Sequence, residues 1–346
     1  MRKTKRMWKT WALMMVGVTC MLSNPTGADD PWVVLEGKEG PGKGKHILLI
    51  AGDDEYRSED LIPQMAKILA VHHGFKCTVL FAVNKQTGEI DPGAKDNIPG
   101  LEALKTADLM VMFLRFRDLP DDQMKQIMDY TNSGKAIMGL RTSTHAFNIR
   151  KNKTYAKWSF RAGGETRGGY GRQVFGETWA GHYGHHNRES TRGVVAKGAE
   201  KHPIVKGCED IWGPSDVYGI TTLHGDCKPL IMGQVLSGMD PKDEPNPKKK
   251  PVPIAWTKTY TGTEGKAARV FTTTMGHGHD LKSEGFRRLL VNACYWCVGL
   301  EDKIPDRAKV DCVGQYRPNP IGMGRHKKGL KPADHKIGAT PAKEGK

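Results

Sequence analysis

The chain is sparing in cysteine, with seven among 346 residues, and it has no internal repeat. Its N-terminal apolar run, Trp11 to Leu22, is about a dozen residues, short of the roughly 20 needed to cross a bilayer. A stripe of basic and aromatic residues is also missing. Of the formal charge of +15, five units belong to Met1 to Lys9; residues 301–346 add five more, as eleven Lys/Arg against six Asp/Glu. The middle keeps about +5 spread over both signs, which argues against nucleic acid as a partner. No phosphate-binding glycine motif follows the first apolar strand, because Gly52-Asp-Asp-Glu sets negative charge where a phosphate would sit. A nucleotide cofactor is therefore not expected.

What is present is concentrated. Phe175 to His186 reads Phe-Gly-Glu-Thr-Trp-Ala-Gly-His-Tyr-Gly-His-His, placing a carboxylate, three imidazoles and three aromatic rings in one glycine-loosened dodecapeptide. Imidazole and carboxylate supply proton transfer or metal ligation near neutral pH. Elsewhere the sequence divides into four parts. Met1 to Lys9 carries five basic residues and no acid ahead of the apolar run, and Thr26-Gly27-Ala28 offers small residues for cleavage after Ala28. This predicts a signal peptide over 1–28 and a secreted or periplasmic chain. Residues 29–44 read as a linker, 45–300 as one domain, and 301–346 as a basic Gly/Pro-rich tail that would touch anionic envelope surfaces or simply keep the protein soluble. Six cysteines remain after the leader, and Cys208 with Cys227 is the preferred disulfide. Cys294-Tyr-Trp-Cys297 has redox spacing, but its place near a helix end favours buried structural cysteines.

Short apolar runs alternate with helical periodicity over the first half of the domain. Strands are predicted at His46–Gly52, Lys76–Val83, Asp108–Phe116 and Ala136–Leu140, with helices capped by Ser58, over Leu101–Ala107 and over Pro120–Gly134. That alternation predicts an α/β fold with a mostly parallel sheet, helices on both faces and ligands beyond the carboxyl ends of the strands. Further strands are expected at Gly193–Ala196, Val217–Ile220, Pro229–Leu236, Val252–Thr259 and Ala268–Thr274, before a helix capped by Ser283. Polar loops then fall after strands at Asp53–Arg57, Arg115–Asp118 and Arg141–His145. Residues 149–190 have no clear period and read as a functional loop.

Each cluster has a functional and a plainer reading. Thr142, Ser143 and Thr144 before His145 sit where related architectures place a nucleophile, but hydroxyls at a strand end commonly satisfy backbone groups. No cysteine lies at this turn, so thiol-based acyl transfer is not available there. His182, His185 and His186 with Glu177 would make a divalent metal site, a second cluster runs from Gly276 to Asp280, and plain hydrogen bonding by these histidines is favoured about two to one. Trp179, Tyr183, Trp212 and Tyr218 would stack on sugar rings or close loops over the core. Asp53, Asp54 and Glu55 would share acid and base roles or only meet solvent.

From Lys45 to Leu300 the chain resembles the trehalose-utilisation, or ThuA-like, family. The resemblance rests on the strand His46–Gly52, on Ile137-Met-Gly-Leu-Arg-Thr-Ser-Thr-His-Ala-Phe147, and on the Gly-x-x-Trp-x-Gly-His segment ending at His182. His202-Pro-Ile-Val-Lys-Gly207, Ser215-Asp-Val-Tyr218, Pro253-Ile-Ala-Trp256 and Arg269-Val-Phe-Thr-Thr-Thr-Met-Gly-His277 complete it. It implies a flavodoxin-like domain related to class I glutamine amidotransferases but without their nucleophilic cysteine, and a link to sugar metabolism. Two positions depart from the family pattern: Arg141 stands where many members have histidine, and the acidic residue ahead of the tyrosine is shifted to Ser215-Asp216.

These readings combine into an exported protein that acts on or binds a carbohydrate at the carboxyl edge of its sheet. His145, His182, His277 and Glu177 are the expected catalytic groups, with Asp54, Arg115, Arg141, Trp179, Tyr183 and Tyr218 binding substrate. His185 and His186 are expected at the pocket lip. No cofactor is expected beyond an alternative divalent metal. The alternatives are a non-catalytic envelope interaction module and a metal-dependent hydrolase.

Overall fold

The computed structural model describes residues 30–220 and 222–339, so the expected leader and Cys20 lie outside the described residues. Twelve strands are formed among them: β1 (Trp32–Leu35), β2 (His46–Gly52), β3 (Lys76–Phe81), β4 (Leu109–Leu114), β5 (Ala136–Leu140), β6 (His182–Tyr183), β7 (Thr191–Val195), β8 (Trp212–Gly213), β9 (Val217–Tyr218), β10 (Lys228–Val235), β11 (Val252–Thr261) and β12 (Ala267–Thr273). The α-helices are α1 (Ser58–His73), α2 (Asp121–Asn132) and α3 (Glu284–Cys297). Ten strands make one mixed sheet in the order β1-β3-β2-β4-β5-β12-β11-β10-β7-β8, while β6 and β9 pair separately.

The centre β3-β2-β4-β5-β12 is parallel, and β11, β10, β7 and β8 extend it antiparallel. Sequence composition explains the division. β2, β4 and β5 are buried at every residue and read as continuous apolar runs, as strands covered on both faces must. Alternate residues of β2 enter different cores: Ile47 and Leu49 join Leu61, Leu69, Phe286 and Leu290, whereas Leu48 and Ile50 join Met124 and Ile127.

Several local expectations change. Trp32–Leu35, inside the expected linker, is an edge strand antiparallel to β3. Ser58 does not cap α1: Arg57 holds the cap position in a left-handed conformation, and Ser58 Oγ instead bonds the backbone of Asp53. Ser283 does cap α3, accepting from Phe286 N at 3.2 Å. Cys208 and Cys227 are unpaired, as are the other described cysteines; their thiols face the carbonyls of Ile204 and His224 instead. The described residues after α3 fold back on the domain, with Ile304, Ala308 and Val310 buried and Asn319 bonded to Asp60.

Candidate functional site

The loops after β2, β4, β5 and β12 meet at the carboxyl end of the parallel strands. After β2, Asp53 is fully buried and acts as a clamp. Its carboxylate accepts from the backbone N–H of Glu55 and Tyr56 and from Thr142 Oγ1 at 2.7 Å. That turn presents Asp54 to Lys95 at 2.6 Å and to Arg115 at 3.0 Å, with Arg115 also on Glu55. Burial would raise the Asp54 carboxyl, but Lys95 and Arg115 hold it below the usual range.

After β5, Arg141 is completely buried and donates to Asp216 Oδ1 at 2.8 Å, to the Asp216 carbonyl and to the Thr274 carbonyl. Its guanidinium lies 3.8 Å from the centroid of the Tyr56 ring. Asp216 is likewise buried. His182 Nδ1 stands 2.7 Å from its Oδ2 and His186 Nδ1 3.2 Å from its Oδ1. Burial pushes the Asp216 carboxyl up, yet the two imidazole donors and Arg141 outweigh it and hold the group well below the carboxylate range. The carboxylate is thus an anion that orients two imidazoles.

Local backbone makes this meeting happen. β6 pairs with β9 so that His182 faces Tyr218, one residue beyond Val217 and two beyond Asp216. Gly184, at φ +111°, carries the chain past Asp216; a Cβ there would lie 3.0 Å from the Asp216 Cβ. Five described non-glycine residues have positive φ, and Arg57, Phe116, Arg141 and Asn187 among them flank the site. Strained conformations of this kind concentrate at functional positions.

The expected site residues divide. His145 and His182 both pack on Trp179 and Tyr218, with ring centroids 5.5 to 6.1 Å apart. Arg141 joins them through Asp216. Asp54 and Arg115, on the adjoining loops after β2 and β4, pair with each other, and Arg115 reaches His145 through Phe116. Burial, then the charges of Arg115 and Arg141, push the His145 ring far below its ordinary value, so it sits there neutral. His277 lies across the Tyr56 ring, and neither of its ring nitrogens meets a partner among the described residues. Burial, with Arg141 beside it, lowers that ring to about 2.

Two expected residues turn elsewhere. Glu177 is held by Arg172 at 2.8 Å and by the Thr178 N–H, with His224 at 3.3 Å. Tyr183 donates to the Lys250 carbonyl and lies under Lys249. The hydroxyls of the β5 turn are structural: Ser143 Oγ donates to the Met112 carbonyl, and Thr144 Oγ1 lies 3.1 Å from His145 Nδ1. His186, expected at the lip, belongs to the Asp216 cluster, and its Nε2 lies 3.4 Å from Tyr56 Oη. Asp216 and Tyr56 join the site without being among its expected residues. The Ser215-Asp216 shift was the signal for the first, and the place of Tyr56 in the acidic loop was the signal for the second.

Two chemistries are open to the cluster. A carboxylate-oriented imidazole can move a proton, and His182, Asp216 and His186 offer three donor atoms within 4.8 Å of one another to a metal. A cavity of about 630 Å³ beside Arg150, Lys157 and Arg161 is lined by neither imidazole nor carboxylate. Volume does not mark this site; chemistry does.

The class these features define is an α/β protein with a mixed sheet and a histidine- and carboxylate-bearing site at the carboxyl ends of its parallel strands. Residues 47–297 match the model of the ThuA family, described as trehalose utilisation, and the chain belongs to that family. Among solved structures it is similar to a ThuA-like protein of Parabacteroides merdae, at 16% identity over 74% of this chain and 90% of that one, with a TM-score of 0.48. It is also similar to one of Bacteroides uniformis, at 16% identity over 79% and 98%, with a TM-score of 0.46. No curated protein matches the chain.

Proposed function

We propose that this chain is an exported protein that binds a carbohydrate and acts on it at the cluster around Asp216. Family membership supports a role in carbohydrate utilisation. One observation carries the narrower reading: His182, held at 2.7 Å by a buried carboxylate, stands beside Trp179, a residue 39% exposed. An exposed aromatic face next to an oriented imidazole suits the apolar face of a sugar ring presented to a polar group. His182 and Trp179 touch the ligand in this reading; Asp216 and Arg141 position them. The strand order of the parallel half, and the entry of α1 and α3 into one core and α2 into the other, support a flavodoxin-like arrangement with helices on both faces. The basic leader and its apolar run support export.

Calorimetric titration of the mature chain with oligosaccharides and with oxidised sugars tests the proposal. Binding should appear for at least one of them, and Trp179→Ala should weaken it by roughly tenfold, the loss of one stacking contact. A chain that binds no sugar, or whose sugar binding survives both His182→Ala and Trp179→Ala, would refute it.

A further inference from the structure

His182 Nδ1 and His186 Nδ1 approach opposite oxygens of one carboxylate, at 2.7 Å and 3.2 Å. Bonds of about 2.0 to 2.1 Å to a common ion place its ligand atoms roughly 3.3 Å apart, so small ring movements would bring all three donors onto one centre. We propose that His182, His186 and Asp216 bind one first-row divalent metal ion, with the remaining coordination positions open to water or a substrate oxygen. The proposal goes beyond the carbohydrate reading, since the ion would bind without sugar.

Two imidazoles and one carboxylate are a donor set that such ions take, and three protein ligands leave room for a reacting oxygen. The surroundings also resemble the outer support that metal ligands need. Tyr56 Oη lies 3.4 Å from the other nitrogen of His186, a partner for the Nε2–H tautomer that binding an ion at Nδ1 requires once Nδ1 gives up its proton. Arg141 fixes the carboxylate from behind at Oδ1 and is itself locked over Tyr56. Binding an ion at the two Nδ1 atoms would displace the protons they donate to Asp216, whose carboxylate stays paired with Arg141 at 2.8 Å. The His182 and His186 side chains are 40% and 33% exposed, so the open positions face outward. Beside His186 lies an open cleft of about 470 Å³, lined also by Glu55, Asn187, Ile321 and Met323. Arg141 opposes a second cation nearby, so binding should be weaker than at a closed four-ligand zinc site.

The mature chain, stripped with EDTA, is titrated with Zn²⁺ by calorimetry and with Co²⁺ by visible absorption. One ion per chain is expected, together with Co²⁺ ligand-field bands. His182→Ala and His186→Ala, each checked for a native circular dichroism spectrum, should weaken binding by roughly tenfold or more, whereas His185→Ala should leave it unchanged. Failure of the wild-type chain to take up either ion overturns the proposal. So does uptake indifferent to both substitutions, or equally sensitive to His185→Ala. Sugar binding measured in the stripped protein is a separate readout, so loss of the metal proposal leaves the carbohydrate reading standing or falling by itself.

Discussion

Asp216 shows how much one residue can organise. Its two oxygens accept from Arg141, His182 and His186, and with Arg141 it forms an ion pair in which both side chains are fully buried. Replacing it with asparagine would leave the Arg141 guanidinium buried without its counter-charge. Asp216→Asn should therefore destabilise the fold by about 3–5 kcal/mol, seen as a lower denaturation midpoint, and should free His182 from its fixed orientation. A change below about 1 kcal/mol would mean that the remaining carbonyl acceptors suffice for Arg141. At this scale the sequence was partly legible. His182 and Trp179 stood out because their residue types are costly to place in a packing element. Glu177 stood out for the same reason but turns to Arg172 and His224: in a glycine-rich loop, closeness along the chain does not decide which way a side chain faces. Asp216 could not be ranked from sequence, since its importance comes from partners 75, 34 and 30 residues away.

Among the elements, the short β6–β9 pairing does the positioning. It places His182 opposite Tyr218, and Gly184 lets the following residues return over Asp216 so that His186 reaches the same carboxylate. Gly184→Ala should impose left-handed strain of roughly 1–3 kcal/mol and a close approach to the Asp216 Cβ, which displaces His186. The expected result is a modest loss of global stability with a larger loss of ligand or metal affinity; equal losses in both would show that the turn serves folding alone. The buried parallel strands were legible because a strand covered on both faces must be apolar throughout, as β2 and β4 are. Two-residue strands such as β6, β8 and β9 carry no period, so their pairing was not. The cap of α1 was missed for a related reason: Ser58 has a capping side chain, but Asp53 captures it from the preceding turn.

For the whole molecule, residues 301–346 look like a loose tail because Gly, Pro and charge dominate them, while the few apolar groups that anchor them are widely spaced. Ile304, Ala308 and Val310 are buried, Tyr316 Oη donates to the Gly278 carbonyl, and Gly322 N donates to the Glu55 carbonyl beside the site. Deleting residues 313–346 removes the Tyr316 and Gly322 contacts and should lower the thermal midpoint and disturb the acidic loop; an unchanged midpoint would show that those two contacts add nothing to the fold. His73 extends the same argument to pH. One ring nitrogen donates to the Lys309 carbonyl at 2.7 Å while the other lies 3.0 Å from Tyr295 Oη, an arrangement that the neutral ring satisfies. Burial lowers this ring to about 4 from 6.5. The folded state then binds fewer protons than the unfolded chain below pH 6.5, so the contribution of His73 is fully present above 6.5 and is lost as pH falls toward 4. A shift of this size is worth at most about 3 kcal/mol. Denaturation midpoints measured from pH 7.5 to pH 4 should fall across that window, and His73→Gln, which keeps a donor and an acceptor but does not titrate there, should fall less steeply. Parallel curves for the two proteins would assign the acid sensitivity to other groups, among them His335, which burial also lowers to about 4.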